Sequence, residues 1–512
     1  MWEGLFRIAC LIKSSPLEEP VSEKIRKGID DIGNGAIDGT AAEQIFKARA
    51  AMALFEYNTD QSILKRIAEW MRWLEIEFEN ICLHDMLLYR PADLMELFIR
   101  FYQITGMKSV LRLCAKLRAT AFDWITALHT YQQSIPLLME CKKTIIGNLP
   151  SRPEDLDYDD KQRLVNHAEM LADGVRYSVF SGLFSGHGQD LYSGSALWSH
   201  VSRSHRAICG GTTANPYLCG RGSNEPVGNA ALAAWTEAFA AQMILPGSEW
   251  ALDEMIRIVF NGLEECLNHQ ELAESQYVNS LNNPKICPDE AMICARLTRA
   301  VASACRNAVT LTEEGIRINY LLPAKFLLMI GKQPVILITD RQSARFQCSK
   351  PFSAPIDIYI PHTGTGFIRL IREGTAGVSD KVLSDYGTKG KYLRTKTEWH
   401  DHDGFLFEQD GTIVAEDTHH QGVCFFKENR LLSLPASEEY AFAVNGPPMI
   451  KDGKIYISLS DIPGWGLKGD QPSDIPVLPA EGQRSLQTEM SPYSETEHRI
   501  TMFPRTRQSC LR

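Results

Sequence analysis

The strongest constraint on the fold is a single change in hydrophobic periodicity near residue 310. Before this point, apolar residues recur at i, i+3, i+4 and i+7, which predicts amphipathic α-helices. The clearest predicted helices span residues 63–78, 94–102, 110–131, 164–180, 230–245, 252–267 and 291–309. Turns rich in Gly, Pro and Asn join them, and such a series of helices arriving in pairs indicates an α/α toroid, in which loops at one end build a site.

After residue 310, apolar residues alternate over short segments, which predicts β-strands. The predicted strands span residues 315–320, 334–339, 356–360, 392–398, 423–426 and 454–458. This spacing, with turn signals between the segments, is typical of a β-sandwich. We therefore expect a mainly α protein with a helical domain over 1–310, a β-sandwich over 311–475 and a loosely ordered, Ser/Pro/Gln/Glu-rich tail over 476–512.

Charge and composition exclude several classes of protein. The 512 residues include 53 Lys and Arg against 63 Asp and Glu, a formal net charge of −10, whereas nucleic-acid binding needs clustered positive charge. No apolar stretch approaches the roughly 20 residues of a membrane span, so we expect no membrane association. The N-terminus does not have the pattern of a signal peptide, and 13 scattered cysteines without a CxxC pair indicate reduced thiols in a cytoplasmic protein.

A glycine-rich loop before the predicted helix 230–245 is the first candidate site. Several glycines within residues 204–226 let the backbone approach a ligand closely. Glu225 ends this loop, and Pro226 suits the first position of the next helix. The carboxylate is either part of a site or an acid that stabilises the positive end of the helix dipole.

Two other junctions carry groups that can do chemistry. Cys287 and Asp289 lie just before the helix 291–309, where the helix dipole lowers the pKa of a thiol. The alternative is an inert buried thiol beside a capping acid. His167 lies in the helix 164–180 and is either a ligand-binding group or a hydrogen-bonded structural residue.

Six motifs in the same order along the chain resemble those of glycoside hydrolase family 127, the β-L-arabinofuranosidase-like enzymes. They are YRPADLME (89–96) with YQITG (102–106), NHA (166–168), HRAICGGTT (205–213), QYVNSL (276–281), EGIRINY (314–320), and YLR (392–394) with Glu398-Trp399 and Asp403-Gly404. The resemblance covers most of the chain. It implies an (α/α)6 barrel followed by a C-terminal β-sandwich, and a glycosidase-like activity.

The resemblance also implies a site that this chain has altered. In the family, one Glu and three Cys hold a zinc ion, and one of those cysteines is thought to be the nucleophile. Glu225 matches the glutamate, but a valine replaces the cysteine two residues later, Ile286 replaces the nucleophile, and only Cys287 remains. Because a structural zinc takes four ligands, we predict no metal and no other cofactor. Zinc in the purified protein would indicate that Cys209 or Cys219 supplies a replacement thiolate.

Other family positions differ as well. The histidine of the first motif is Asp93 here, and the family's acid/base glutamate has no counterpart within residues 213–224. The residues that fit a sugar-shaped pocket offer carboxylate, imidazole, phenol, amide and indole groups. We assign Glu225, Cys287 and Asp289 to catalysis, and we expect the substrate to contact His167, Tyr277, Asn279, Asp93, Trp198 and Arg221.

The leading functional hypothesis is a glycosidase that acts on an oligosaccharide or glycoside. Because the cysteine–zinc route is altered, we expect two carboxyl groups to carry the reaction, as in most glycoside hydrolases. One alternative is a carbohydrate-binding relative without catalysis. Another is a lyase or epimerase acting on a uronate sugar, with Arg206 and Arg221 neutralising its carboxylate. The β-rich half offers a surface through which a homodimer can form.

Overall fold

The structure of the protein is a computed structural model. It describes residues 2–12, 16–33, 41–78, 86–132, 149–150, 152–214, 216–222, 225–268, 275–277, 290–362, 366–371, 381–382, 390–409, 411–418, 422–435, 441–462, 485–496 and 499–504. The first part of this chain is helical and the last part is built of antiparallel sheets.

The helices that fall within the described residues occupy the first 307 positions. They are α1 (Trp2–Leu11), α2 (Glu18–Gly33), α3 (Ala41–Asn58), α4 (Gln61–Glu77), α5 (Met86–Tyr89), α6 (Ala92–Thr105), α7 (Lys108–Thr120), α8 (Trp124–Thr130), α9 (Tyr158–Asn166), α10 (Ala168–Ser185), α11 (Gly188–His205), α12 (Asn229–Gln242), α13 (Glu249–Arg257), α14 (Glu264–Asn268) and α15 (Glu290–Asn307). A π-helical segment, Ile258–Leu263, joins α13 to α14. None of these helices is long and apolar enough to cross a bilayer.

Six helices form a closed inner ring. α1 packs on α3, α3 on α6, α6 on α10, α10 on α12, α12 on α15, and α15 returns to α1. α2, α4, α7, α11 and α13 pack outside them. α10 and α12 are buried on nearly all sides, and the alanine-rich sequence of α12 lets its neighbours approach closely. This is the predicted (α/α)6 arrangement, in which the inner helices all begin at one end of the ring.

Two predicted helices are each broken into two. The prediction over 110–131 is wrong at residues 121–123, where the Asp123 side chain accepts a hydrogen bond from the backbone N–H of Thr126 and starts α8. The prediction over 164–180 is wrong at His167, which has extended backbone angles between α9 and α10. In both places apolar residues continue across the break, so the periodicity does not reveal it.

Strands begin at residue 309, apart from a two-strand pair in the helical half, β1 (Pro226–Gly228) and β2 (Ser275–Tyr277). The others are β3 (Val309–Leu311), β4 (Ile316–Ile318), β5 (Ala324–Ile330), β6 (Gln333–Thr339), β7 (Ser343–Cys348), β8 (Phe352–Ile360), β9 (Gly366–Ile371), β10 (Lys381–Val382), β11 (Lys391–Trp399), β12 (Gly404–Gln409), β13 (Ile413–Asp417), β14 (Gly422–Lys427), β15 (Arg430–Pro435), β16 (Ala441–Val444), β17 (Met449–Lys451), β18 (Lys454–Ile462), β19 (Ser485–Pro492), β20 (Arg499–Ile500) and β21 (Phe503–Pro504). All six strands predicted from alternation are present.

The first β unit is a sandwich. A sheet in the order β10-β9-β12-β7-β6-β5 faces a sheet in the order β11-β8-β4-β3. Their inner faces share one core, in which Phe346, Trp399 and Phe405 are fully buried. Strands with one buried face give the alternation seen in the sequence.

The second β unit, β13 to β21, has its own core and also packs on the helical ring. Tyr493 is buried in the ring's hydrophobic cluster, and its hydroxyl donates a hydrogen bond to Gln276 at 3.0 Å. Within the expected loose tail over 476–512, the described residues 485–496 and 499–504 are packed, because β19 pairs with β18 over six residues and Phe503 is fully buried. Pairing with earlier strands supplies the order that this segment's composition does not indicate.

Candidate active site

Ion pairs line the axis of the ring. Arg299 on α15 approaches the Asp93 carboxylate of α6 at 2.8 Å, and Arg176 on α10 contacts the same carboxylate. Arg49 on α3 lies 3.1 Å from Asp93 and 2.9 Å from Glu3 on α1. Five of the six inner helices are therefore tied together by charge on this axis, and α12 joins through Glu237 at 2.8 Å from Arg176.

This network accounts for the charge of Asp93. Burial opposes ionisation, but the guanidinium groups of Arg299, Arg49 and Arg176 outweigh it and hold the pKa of Asp93 well below its usual range. A carboxylate already neutralised by three guanidinium groups has little capacity left for a sugar hydroxyl. The surroundings of Asp93 thus favour a role in holding the ring together over the predicted contact with substrate.

A second cluster lies at the end where the inner helices begin, which we call the mouth. Arg90 lies just before α6, contacts Asp173 on α10 and lies 3.7 Å from Glu169. Arg296 of α15 contacts Glu169 as well. Burial raises the pKa of Glu169, and Arg90 partly opposes that change. Sequence reasoning missed this carboxylate, although an acid four residues before Asp173 in an apolar helix is a signal that could have indicated it.

His167 lies beside the mouth cluster, directly before α10. Its ring meets that of Tyr217 edge-on at 5.4 Å between centroids. The side chain is buried, and its Nδ1 has no hydrogen-bond partner among the residues the structure describes. Burial and the nearby Arg90 charge lower the pKa of His167 to about 3, so the imidazole is neutral at physiological pH. A neutral ring with an unused nitrogen can hydrogen-bond a hydroxyl group.

The loop before α12 lies over the start of α10. Ala168 donates its backbone N–H to the carbonyl of Pro216 at 3.1 Å, and Leu218 donates to that of Asn166 at 3.0 Å. These bonds position Tyr217 beside His167. The loop therefore connects the His167 region to Glu225, which ends the same loop.

Glu225 is only partly exposed and has a thiol beside it. The Cys219 thiol lies beside the carboxyl group, and its Sγ donates a hydrogen bond to the backbone carbonyl of Pro226 at 3.9 Å. Burial raises the pKa of Glu225, and the polar side chain of Cys219 partly offsets this rise. Burial also raises the pKa of Cys219, with the neighbouring carboxylate adding to the rise, so this cysteine is a thiol and a hydrogen-bond donor at neutral pH.

Two adjacent glycines of the loop serve packing. Gly210 has φ +104°, and a Cβ there would lie 2.6 Å from Ile258 of the π-helical segment. Gly211 has φ +69° and lies against Trp235 of α12. The close backbone approach predicted from these residues is therefore toward helices, which is the structural alternative to ligand binding.

The structure brings the loop of Glu225 next to that of Tyr277. β1 pairs antiparallel with β2, and Pro226 is directly opposite Tyr277. Asn279, Cys287 and Asp289 lie outside the described residues, so their assignments remain predictions. The pairing agrees with a mouth built from the segments before α12 and α15.

Trp198 and Arg221 have other surroundings. Trp198 is buried on α11, where its ring packs with those of Trp235, Phe239 and Trp250. The Arg221 side chain donates a hydrogen bond to the carbonyl of Arg203 at 3.3 Å. It also interacts electrostatically with Arg206 and Glu416. Neither contact is with Glu225 or His167, so the structure does not support the predicted grouping of these two residues with the mouth.

The described residues do not fit a zinc site. Glu225 and Cys219 are the two donors that lie together, and no group of three or more His, Cys, Asp or Glu side chains within the described part of the chain is arranged to hold a metal. Cys209 is fully buried and lies near Cys266, away from this pair. Two donors fall short of the four that a structural zinc requires.

Comparison with solved structures shows the fold. The β-L-arabinofuranosidase of glycoside hydrolase family 127 from Geobacillus stearothermophilus T6 matches with a TM-score of 0.64 and 12% identity, over 99% of this chain and 89% of that one. A second family 127 β-arabinofuranosidase matches with a TM-score of 0.63 and 12% identity, over 98% and 87% of the two chains.

A further solved structure, described as a glycoside hydrolase, matches with a TM-score of 0.68 and 11% identity over 99% of this chain and 91% of that one. No family model and no curated protein matches the sequence. The chain thus has the fold of these glycoside hydrolases, which confirms the fold implied by the six motifs.

Proposed function

We propose that the protein is a glycoside hydrolase that removes a non-reducing-end sugar, an arabinofuranoside or a related unit, from a plant or microbial glycan. The observation that carries this proposal is the protonatable carboxyl group of Glu225 at the mouth of a ring shared with family 127 enzymes. Those two neighbours are described as β-arabinofuranosidases, which is the reason for choosing an arabinofuranoside as the first substrate to test.

In this proposal, Glu225 is the general acid. A glycosidic oxygen leaves readily only when it is protonated, and a carboxyl group with a raised pKa keeps its proton to higher pH than an ordinary glutamate does. The partial burial of Glu225 raises its pKa in this direction. The polar Cys219 side chain beside it favours the carboxylate that remains after the proton has been given up.

The second carboxylate has two candidates at the mouth. Asp289 precedes α15 and is our first assignment, while Glu169 on α10 is a described carboxylate at the same end of the ring. Inverting and retaining hydrolases differ in whether this group activates water or attacks the sugar, and its distance from the acid decides between them. His167, Tyr277, Asn279 and Cys287 are proposed to orient the sugar through hydrogen bonds.

One observation favours a second candidate, a carbohydrate-binding protein without catalysis. Arg176, Arg299 and Arg49 surround the Asp93 carboxylate, which leaves this acid little capacity to serve as a catalytic group. The uronate lyase or epimerase is less favoured, because Arg206 already lies 2.7 Å from Glu254 and 2.9 Å from Glu416. Its charge is thus matched without a substrate carboxylate.

The test is a hydrolysis assay on purified protein. Aryl glycosides and oligosaccharides containing arabinose, rhamnose or galacturonate are incubated with the wild type, Glu225→Gln and Glu264→Gln. Glu264→Gln, a substitution on α14, is the control. The hydrolase is supported if the wild type and Glu264→Gln release sugar and Glu225→Gln does not. Binding without release supports the binding protein, and release that survives Glu225→Gln contradicts the proposed role of Glu225.

A further inference from the structure

A cleft between the helical half and the β units is separate from the mouth. It contains a cavity of about 280 Å³, whose walls come from α11 and α13 on one side and from β13, β14 and the end of β8 on the other. A second cavity of about 340 Å³ adjoins it and shares Ile256, Pro361 and Asn429. Ligand sites in proteins are typically clefts of roughly 300–1,000 Å³. Together the two spaces are large enough for a small ligand.

An aromatic platform forms one wall of the first cavity. Trp250 is partly exposed, and its ring stacks on that of Trp198 at 6.2 Å between centroids, with 25° between the planes. Trp198 is itself held by contacts with Trp235 and Phe239, so the position of Trp250 is well supported. A rigid, partly exposed indole face suits the apolar C–H face of a sugar ring.

The polar wall contains a donor and an acceptor without partners. Arg206 and Glu254 both line the cavity and lie 2.7 Å apart. Glu254 is 4% exposed, and its Oε2 has no hydrogen-bond partner among the described residues; the same holds for Nε of Arg206. Leaving buried polar atoms unsatisfied costs free energy, so such atoms require an explanation.

A hydroxyl group suits both of these side chains, which line the cavity. It donates to a carboxylate oxygen and accepts from an N–H group at the same time, whereas an anion or a cation can serve only one of them. The charged residues around the cavity also favour a neutral ligand, since they include both acids and bases: Asp253, Glu254 and Glu416 with Arg206 and Arg257. A strongly charged ligand of either sign would meet repulsion here.

The two sides of the cleft are tied together directly. The Asp253 carboxylate accepts a hydrogen bond from the backbone N–H of His362 at 3.2 Å and also contacts its ring. Glu416 of β13 binds both Arg206 and Arg257, and the guanidinium of Arg257 lies over the Phe426 ring at 4.5 Å. The walls are therefore held in place before any ligand binds, which reduces the entropy lost on binding.

We infer that this cleft is a second carbohydrate-binding site, which takes a neutral sugar unit stacked on Trp250 and hydrogen-bonded by Glu254 and Arg206. The adjoining cavity gives a glycan chain room to continue. This site is independent of the proposed hydrolysis at the mouth, because it shares no residue with it.

The test is isothermal titration calorimetry with neutral tetrasaccharides of arabinose, xylose, mannose and glucose, and with trigalacturonate. All proteins carry Glu225→Gln to suppress turnover at the mouth. Trp250→Ala removes the platform, and Ser202→Trp fills the cavity without removing any packing. Trp73→Ala, a partly exposed tryptophan on α4, is the matched control.

We expect at least one neutral tetrasaccharide to bind, with affinity reduced at least tenfold by Trp250→Ala and by Ser202→Trp but unchanged by Trp73→Ala. Hydroxyl-radical footprinting should show protection of Trp250 by the same sugar. The inference is overturned if no neutral sugar binds, if only trigalacturonate binds, or if Ser202→Trp binds as tightly as its parent. Failure of hydrolysis with intact binding would count against the proposed function and leave this site standing.

Discussion

The thiol of Cys219 lies beside the carboxyl group of Glu225, in a loop that backbone hydrogen bonds at Pro216 and Leu218 hold to the start of α10. This relationship affects the protonation of the carboxyl group on which the proposed reaction depends. Burial raises the pKa of Glu225, and the polar thiol moderates the rise because it favours the ionised form.

Removing the thiol should therefore change the pH profile of hydrolysis. In Cys219→Ala, the pKa of Glu225 rises further, so the acid keeps its proton to higher pH. The alkaline limb of the kcat/KM profile therefore shifts to higher pH. Cys219→Ser keeps a donor and should restore the wild-type limb. A limb that is identical in wild type and Cys219→Ala would show that the Cys219 side chain does not act on the catalytic acid.

Stability should depend on the ion pairs along the ring axis. Arg176→Met removes one of the three guanidinium groups around Asp93 and one of the two that contact Glu237, and loss of one member of a buried ion pair typically costs about 3–5 kcal/mol of unfolding free energy. The matched control is Arg112→Met, since Arg112 is exposed and its contact with Glu75 should contribute little to stability. Urea unfolding followed by circular dichroism measures both. Equal losses in the two variants would contradict the structural role given to the axis.

The buried imidazole of His167 should make stability depend on pH. Its pKa is about 3 in the folded protein and near its ordinary value of about 6.5 in the unfolded chain, so only the unfolded state takes up the proton between these values. Stability from this group is complete above pH 6.5 and is lost as the pH falls, by up to about 1.4 kcal/mol per pH unit.

His167→Gln should reduce the slope of unfolding free energy against pH between 6.5 and 4. His129→Gln is the control, because His129 lies exposed on α8 and should leave that slope unchanged. Chemical unfolding at several pH values provides the measurement. If the slope is the same in wild type and His167→Gln, the imidazole is not held neutral in the folded state.

Packing of α10 against α8 should tolerate no side chain at Gly174. A Cβ there would lie 2.4 Å from the ring of Trp124, which is itself fully buried. Gly174→Ala should destabilise the protein by about 1–3 kcal/mol through overpacking. Gly188→Ala has open space around the new Cβ and should be neutral in the same thermal or urea unfolding experiment. A neutral result for Gly174→Ala would mean that this contact is looser than described.

Part of the architecture could be predicted from the sequence because it depends on local periodicity. Most helices of the ring and the six alternating strands have one buried face, which the period of the apolar residues records. The helix break at His167 could not be predicted from this period, since apolar residues continue on both sides of it. Strand β19 was missed because its order comes from pairing with β18, and pairing is not encoded in local composition.

The candidate site was predictable only in part. Glu225 lies at a junction between a loop and a helix, which is visible in the sequence. The ion pairs of Asp93 with Arg176 and Arg299 join residues that are 83 and 206 positions apart, and a helical pattern assigns charged residues to the solvent face by default. The cleft beside Trp250 requires the β units to be docked on the ring, which no local pattern provides.

The most direct test of the central claim, that Glu225 protonates a leaving sugar oxygen, compares two leaving groups. In a 2,4-dinitrophenyl glycoside, the dinitrophenolate leaving group departs without being protonated. In an oligosaccharide of the same sugar, the leaving sugar oxygen must be protonated. Glu225→Gln should lower kcat/KM for the oligosaccharide by about 10²–10⁴-fold, the usual contribution of general acid catalysis, and lower it far less for the aryl glycoside. Equal loss on both substrates, or no loss on either, would contradict the claim.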